Sequence, residues 1–185
     1  MSGPILRPIL GIDPGMGVTG YAILEEAPAG RLILKGSGEV RTNPRHPFPK
    51  RLKQIHDGLL QVIQEALPAA LAIEDTFLAK NFKSALKLGQ ARGVALLAAE
   101  FHQLPVFEYA PTAVKMGVVG YGGATKEQVQ QMVRRLLQLP EVLTSEHEAD
   151  AAAVAICHIH SAQFHEKIAA AERGVNRESA RPPVR

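Results

Sequence analysis

Three short apolar runs, Ile9 to Asp13, Val18 to Leu24 and Leu32 to Val40, precede the first helical pattern, with connections too short to hold a helix between them. Strands joined by such brief Gly- and Pro-punctuated links turn back on one another, so the chain opens as an antiparallel meander. The hydrophobic period then changes. From Phe48 to Leu67 the apolar residues Leu52, Ile55, Leu59, Leu60, Ile63 and Leu67 recur at helical spacing, and Pro68 helps to end that helix. Ala69 to Glu74 predicts a fourth strand, Phe82 to His102 a long helix and Pro105 to Tyr109 a fifth strand. Lys126 to Leu139 and Glu146 to about Gln163 predict two further helices, parted at Pro140. Hairpin-linked strands followed by strands alternating with helices give an α/β single domain over residues 1–166. Its expected core is a five-stranded mixed sheet, three strands antiparallel and the later ones parallel, flanked by helices. Past Ala170 the chain is polar and carries Arg181-Pro182-Pro183, and residues 167–185 are expected as a disordered basic tail.

A chain of 185 residues can bury a full core without disulfide or metal staples. Its single cysteine, Cys157, has no partner within the chain, and no charged opening stretch leads into a long apolar one. No apolar run reaches the roughly 18 residues a spanning helix needs. A reducing, cytoplasmic setting away from the membrane is expected. The net charge of +3 is small, but it is unevenly spread. Arg41 to Lys53 and Lys80 to Arg92 carry basic residues and no acid, whereas Glu146, Glu148 and Asp150 cluster elsewhere. Basic surface beside an acidic pocket suits a polyanion that must meet a cation.

The acidic pocket is assembled from distant positions. Asp13 and Glu74 each end an apolar run, and Asp150 opens an alanine-rich helix. Two carboxylates at the ends of neighbouring strands repel unless a cation lies between them. Asp75 alternates to the opposite face and is read as structural or as a support behind the metal ligands. Ser145 and Glu148 have the spacing of a capping box, which gives Glu148 a structural task, while His147 and Asp150, three apart, share one helix face. Asp13, Glu74, His147 and Asp150 thus make a hard-oxygen site with one imidazole, suited to Mg²⁺ or Mn²⁺. Two ions there would activate water and stabilise the departing 3′ oxygen of a phosphodiester. Cys157-His158-x-His160 carries two imidazoles and a thiol, but neighbouring helical positions point about 100° apart, so zinc is not expected there.

These residues lie in strings that closely resemble the RuvC family of Holliday-junction resolvases. The strings are Gly11-Ile-Asp-Pro-Gly15, Val18-Thr-Gly-Tyr21, Ala72-Ile-Glu74, Phe77-Leu-Ala-Lys-Asn81, Ser84-Ala-Leu-Lys-Leu-Gly-Gln-Ala-Arg-Gly-Val94, Leu104-Pro-Val-Phe-Glu-Tyr-Ala110 and Val114-Lys115. The resemblance implies a ribonuclease-H-like fold and a homodimer that nicks opposed strands of a four-way DNA junction, in recombination and repair, beside RuvA and RuvB. It implies divalent metal on Asp13, Glu74 and Asp150, with His147 where an aspartate is commoner, a change that shifts preference toward Mn²⁺. It also places Lys115 and Lys126 near the scissile strand, and Phe77 as a wedge stacking on an unpaired base at the crossover. Lys80, Lys83, Lys87 and Arg92 are the expected phosphate contacts. Met116 to Ala124, rich in glycine, is expected as a loop that orders on DNA. The small residues Gly89, Ala91, Gly93 and Ala95 suit close packing of the long helix, on its own sheet or on a second copy. Two other readings remain open, an actin- or sugar-kinase-like ATPase fragment opened by Asp13-Pro-Gly15 and Thr19, and a junction-binding module without chemistry.

Overall fold

The computed structural model describes residues 8–75 and 82–179, with side chains through residue 165. Five strands form one sheet: β1 (Ile9–Asp13), β2 (Val18–Glu26), β3 (Leu32–Arg41), β4 (Ala70–Glu74) and β5 (Val106–Tyr109). Their order is β3-β2-β1-β4-β5, antiparallel from β3 to β1 and parallel from β1 to β5. This is the expected mixed sheet. Strand β1 lies in the middle because it alone pairs both with its hairpin partner and with the strand that returns through a helix.

Side chains alternate across the central strands and build two cores. Leu10, Ile12, Leu71 and Ile73, all fully buried, face α1 (Phe48–Ala66) and α2 (Phe82–Phe101), where Ile55, Leu59, Ala91 and Ala95 meet them. The opposite face carries small residues, Gly11, Gly20, Ala22 and Ala72, and is covered by α3 (Pro111–Val119), α4 (Lys126–Leu136) and α5 (Glu146–Ser179). A Cβ on Gly11 would overlap the carbonyl oxygen of Ala151, and one on Gly20 that of His147. The two glycines therefore let the first turns of α5 lie directly on the sheet, at the carboxyl end of β1.

Three expectations need correction. The glycine-rich stretch is not a loop throughout, since Met116 to Val119 belong to α3. Gly117 is there for packing rather than flexibility: a Cβ would sit 2.9 Å from the sulfur of Cys157, so glycine is what allows α3 to approach α5. Helix α5 does not end near Gln163 but runs to Ser179, in keeping with the strong helix formers Ala169, Ala170, Ala171 and Glu172 beyond Ala162. Leu67, read as part of the apolar stripe of α1, is 72% exposed; it ends the helix in a left-handed conformation at φ 46°.

Candidate active site

Alternation decides which carboxylates meet. Asp13 shares a face with Gly11, and Glu74 shares one with Ala72, so both point to the α5 side at the carboxyl ends of adjacent parallel strands. The turn after Asp13 is held from within. The buried Thr19 hydroxyl donates to the Gly15 carbonyl at 2.9 Å and accepts from the Gly15 amide at 3.3 Å. Arg51 of α1 donates to the Met16 carbonyl and to the Thr42 hydroxyl, both at 2.9 Å.

The start of α5 is fixed as firmly. Ser145 Oγ accepts from the amides of His147 (3.2 Å) and Glu148 (3.4 Å), and its hydroxyl donates to Glu39 of β3. The capping box is only half made, because the Glu148 carboxylate accepts from Ser37 of β3 instead of returning to the Ser145 backbone. Both contacts tie the first turn of α5 to the sheet.

His147 Nδ1 lies 2.7 Å from Asp13 Oδ2. Lys126 Nζ bridges Asp150 at 2.9 Å and Glu146 at 3.0 Å. Lys126 and Asp150 line a groove of about 230 Å³ together with Glu74, Pro111, Val114, Lys115, Val129 and Ala153. The charges in it are frustrated. Burial pushes the Asp13 carboxyl above its ordinary range, more than the hydrogen bond to His147 lowers it. Glu74 is pushed up to about 7, first by burial and then by the charges of Asp13 and Asp150, with Lys126 and Lys115 opposing. For Lys126, burial lowers the pKa, but hydrogen bonds to Asp150 and Glu146 outweigh it and the net shift is upward.

Among the described residues no three acidic, imidazole or thiol groups already stand as a preformed metal-ligand cluster. The reason is visible in the partners: Asp13 is turned to His147, and Asp150 to Lys126. The donor set nonetheless fits a hard divalent cation. It offers carboxylate oxygens from three elements, and the raised Glu74 marks negative charge that the two lysines leave incompletely balanced. A cation would favour the ionised forms of Asp13 and Glu74, which burial disfavours.

The profile of the family "Crossover junction endodeoxyribonuclease RuvC" matches residues 9–158. Proteins of that name from Syntrophotalea carbinolica and Geobacter sulfurreducens are 53% and 51% identical over 152 and 154 residues, covering 82% and 83% of this chain and 93% of each relative. The Thermus thermophilus RuvC structure in complex with Holliday junction substrate superposes with a TM-score of 0.82 at 35% identity, over 86% of this chain and 96% of that one. The yeast mitochondrial Holliday junction resolvase, at 14% identity and a TM-score of 0.60, shares the fold, over 84% of this chain and 80% of that one. The chain belongs to the RuvC family.

In this RuvC chain Glu74, Asp150, Lys115 and Lys126 line one groove, and Asp13 adjoins them with His147 against it. Arg92 is not there. It lies on the α1–α2 side, ion-paired with Glu108 of β5 and 3.8 Å from Asp75, and its side chain is only 18% exposed. The guanidinium between two carboxylates forms a clamp joining α2 to the ends of β4 and β5, away from the groove. The structural role read for Asp75 is this clamp. Lys83 and Lys87 are exposed on α2. Phe77 and Lys80 lie outside the described residues. Cys157, His158 and His160 do not converge: they contact the Ala113 carbonyl, the Tyr109 hydroxyl and the Gly117 carbonyl in turn. Arg51 shapes the site and was not singled out in the sequence, while Thr19 was named there only for the ATPase reading and Glu146 only as part of an acidic cluster. Only Thr19 carried a local signal, a hydroxyl four residues after Gly15 and able to close its turn.

Proposed function

We propose that this chain resolves four-way DNA junctions as a structure-selective endonuclease, by metal-dependent hydrolysis of a phosphodiester in each of two opposed strands. The carrying observation is that Glu74 and Asp150 line one groove of a RuvC domain with Lys115 and Lys126, while Asp13, paired with His147, stands close enough for its charge to act on Glu74. A junction-binding module without chemistry would not need a half-buried carboxylate pair in which burial first, and then the charges of Asp13 and Asp150, raise Glu74. The match of the RuvC family over residues 9–158 weighs against an ATPase fragment.

Asp13, Glu74 and Asp150, with His147, would hold Mg²⁺ or Mn²⁺, two ions per site. Bound there, the metal supplies an activated water and stabilises charge on the leaving oxygen. The protein's own groups do the rest. The hydrogen bond between His147 Nδ1 and Asp13 orients the imidazole, and with Nδ1 as its donor Nε2 would be the basic nitrogen of the site. An imidazole in place of a hard oxygen shifts the preference toward Mn²⁺. Lys115 and Lys126 line the same groove as Glu74 and place positive charge beside the phosphate, where negative charge develops during displacement.

We read the active form as a homodimer in the cytoplasm, with RuvA and RuvB as partners implied by family membership. Support for the dimer comes from α2. Phe82, Leu86, Leu97 and Phe101 are 82%, 54%, 51% and 67% exposed along one side of that helix, opposite the buried Ala91, Ala95 and Ala98. Gly89 and Gly93 lie between them with nothing within 4 Å of where a Cβ would be. Such a stripe suits a copy of itself. Ala91 and Ala95, in contrast, pack on the protein's own core.

The test is cleavage of an end-labelled four-way junction by the purified protein with Mg²⁺ or Mn²⁺. Symmetric nicks in two opposed strands, faster in Mn²⁺, are expected, and Asp13→Asn should bind the junction without cutting it. Cutting retained by that variant, or equal cutting of linear duplex, contradicts the assignment.

A further inference from the structure

Lys126 is shared between two carboxylates one turn apart on α5, of which Asp150 belongs to the proposed ligand set and Glu146 does not. Both anchors of this contact are rigid. Lys126 is the first residue of α4, whose start is locked by reciprocal hydrogen bonds between Thr125 and Gln128 at 2.8 and 3.3 Å. Glu146 is the first residue of α5, directly after Ser145, which is tied to Glu39. Freedom in the triad therefore resides in the lysine and glutamate side chains.

An acid in the first turn of a helix has an ordinary use, the favourable interaction with the helix dipole. That use requires no lysine. Here two like charges stand four residues apart on one helix, an arrangement that is unfavourable by itself and is offset by the ammonium between them. A divalent cation and this ammonium compete for Asp150, so metal uptake must loosen Lys126 from it. Glu146, 60% exposed and outside the ligand set, can retain the ammonium when that happens.

We propose that Glu146 is a positioning residue, a second carboxylate that shares Lys126 with Asp150, eases its release when a cation binds, and keeps its charge at the edge of the groove. The inference rests on the reading of Asp13, Glu74 and Asp150 as cation ligands. With Glu146 present, the grip of Lys126 on Asp150 is divided. Without it, the ammonium turns wholly to Asp150 and opposes the metal; once displaced, it is free to leave the groove.

The test is a double-mutant cycle on Mn²⁺ affinity, read from the electron paramagnetic resonance signal of free Mn²⁺ without DNA. Wild type, Glu146→Gln, Lys126→Ala and the double variant are compared. Lys126→Ala should tighten Mn²⁺ binding, and Glu146→Gln should weaken it about threefold, the scale of an exposed ion pair. The Glu146→Gln effect should shrink when Lys126 is also removed. In cleavage under single-turnover conditions, Glu146→Asp should restore most of what Glu146→Gln loses, at unchanged junction affinity. An equal Glu146→Gln effect with and without Lys126, or no effect, overturns the inference while leaving the metal site standing. Wild type that takes up no Mn²⁺ overturns both.

Discussion

The carboxylate cluster should destabilise the metal-free protein, and Glu74 gives the size of the effect. Its carboxyl is pushed from 4.5 to about 7 by burial and by Asp13 and Asp150. Below 4.5 it is protonated in both folded and unfolded chains and contributes nothing. Between 4.5 and about 7 the unfolded chain loses its proton first, so stability falls as pH rises through this window and the loss is complete above about 7. The shift corresponds to about 3 kcal/mol, which we reduce to about 2 kcal/mol because the group is partly open to solvent and screened. Glu74→Gln mimics the protonated form. In EDTA it should match wild type near pH 4 and exceed it by about 2 kcal/mol at pH 8, or about 6 °C in Tm for a domain of this size. Urea unfolding at the two pH values gives the difference, and taking it between variant and wild type cancels the other titrating groups, including His158, whose pKa burial lowers. Saturating Mn²⁺ should reverse the order at pH 8, because only wild type keeps its full ligand set. Equal stability of the two proteins at pH 8 in EDTA, or a less stable variant, would refute the reasoning.

Gly11→Ala should cost about 1–3 kcal/mol or more, because the added methyl overlaps the Ala151 carbonyl and must push α5 outward; cleavage should fall with it, and near-wild-type unfolding would show that α5 can shift freely. Arg92→Met should lower stability yet leave the salt dependence of junction binding unchanged, whereas a lost phosphate contact would reduce the slope by about 1. Lys83→Glu with Lys87→Glu should weaken junction binding and flatten that slope, and an unchanged slope argues against phosphate contacts on α2. Leu97→Glu should convert a dimer to a monomer by light scattering without unfolding the chain, since Leu97 is half exposed in the protomer; a wild-type protein that is already monomeric removes the proposed interface.

Most of the site was legible because it depends on alternation and order. Once β1 and β4 are strands, Asp13 falls on the face of Gly11 and Glu74 on that of Ala72, and Asp75 is excluded without any coordinates. His147 and Asp150 follow from helical spacing. What escaped is set by the distance between elements that are remote in sequence. Gly117 looks like a flexible residue until Cys157 is seen against it. Arg92 looks like part of a basic surface until α2 is laid beside the ends of β4 and β5, where Asp75 and Glu108 await it. Glu148 has the spacing of a capping partner, yet Ser37 on another element takes its carboxylate. The sharing of Lys126 between Glu146 and Asp150 likewise requires knowing that α4 begins over the first turn of α5.

The central claim is that Asp13, Glu74, His147 and Asp150 together hold a divalent cation. Crystals of the protein soaked in Mn²⁺ test it through the anomalous signal. The account predicts density among the three carboxylates, with Lys126 withdrawn from Asp150 and His147 turned to the ion. Mn²⁺ bound elsewhere with this groove still closed by the pairs His147–Asp13 and Lys126–Asp150 would contradict it.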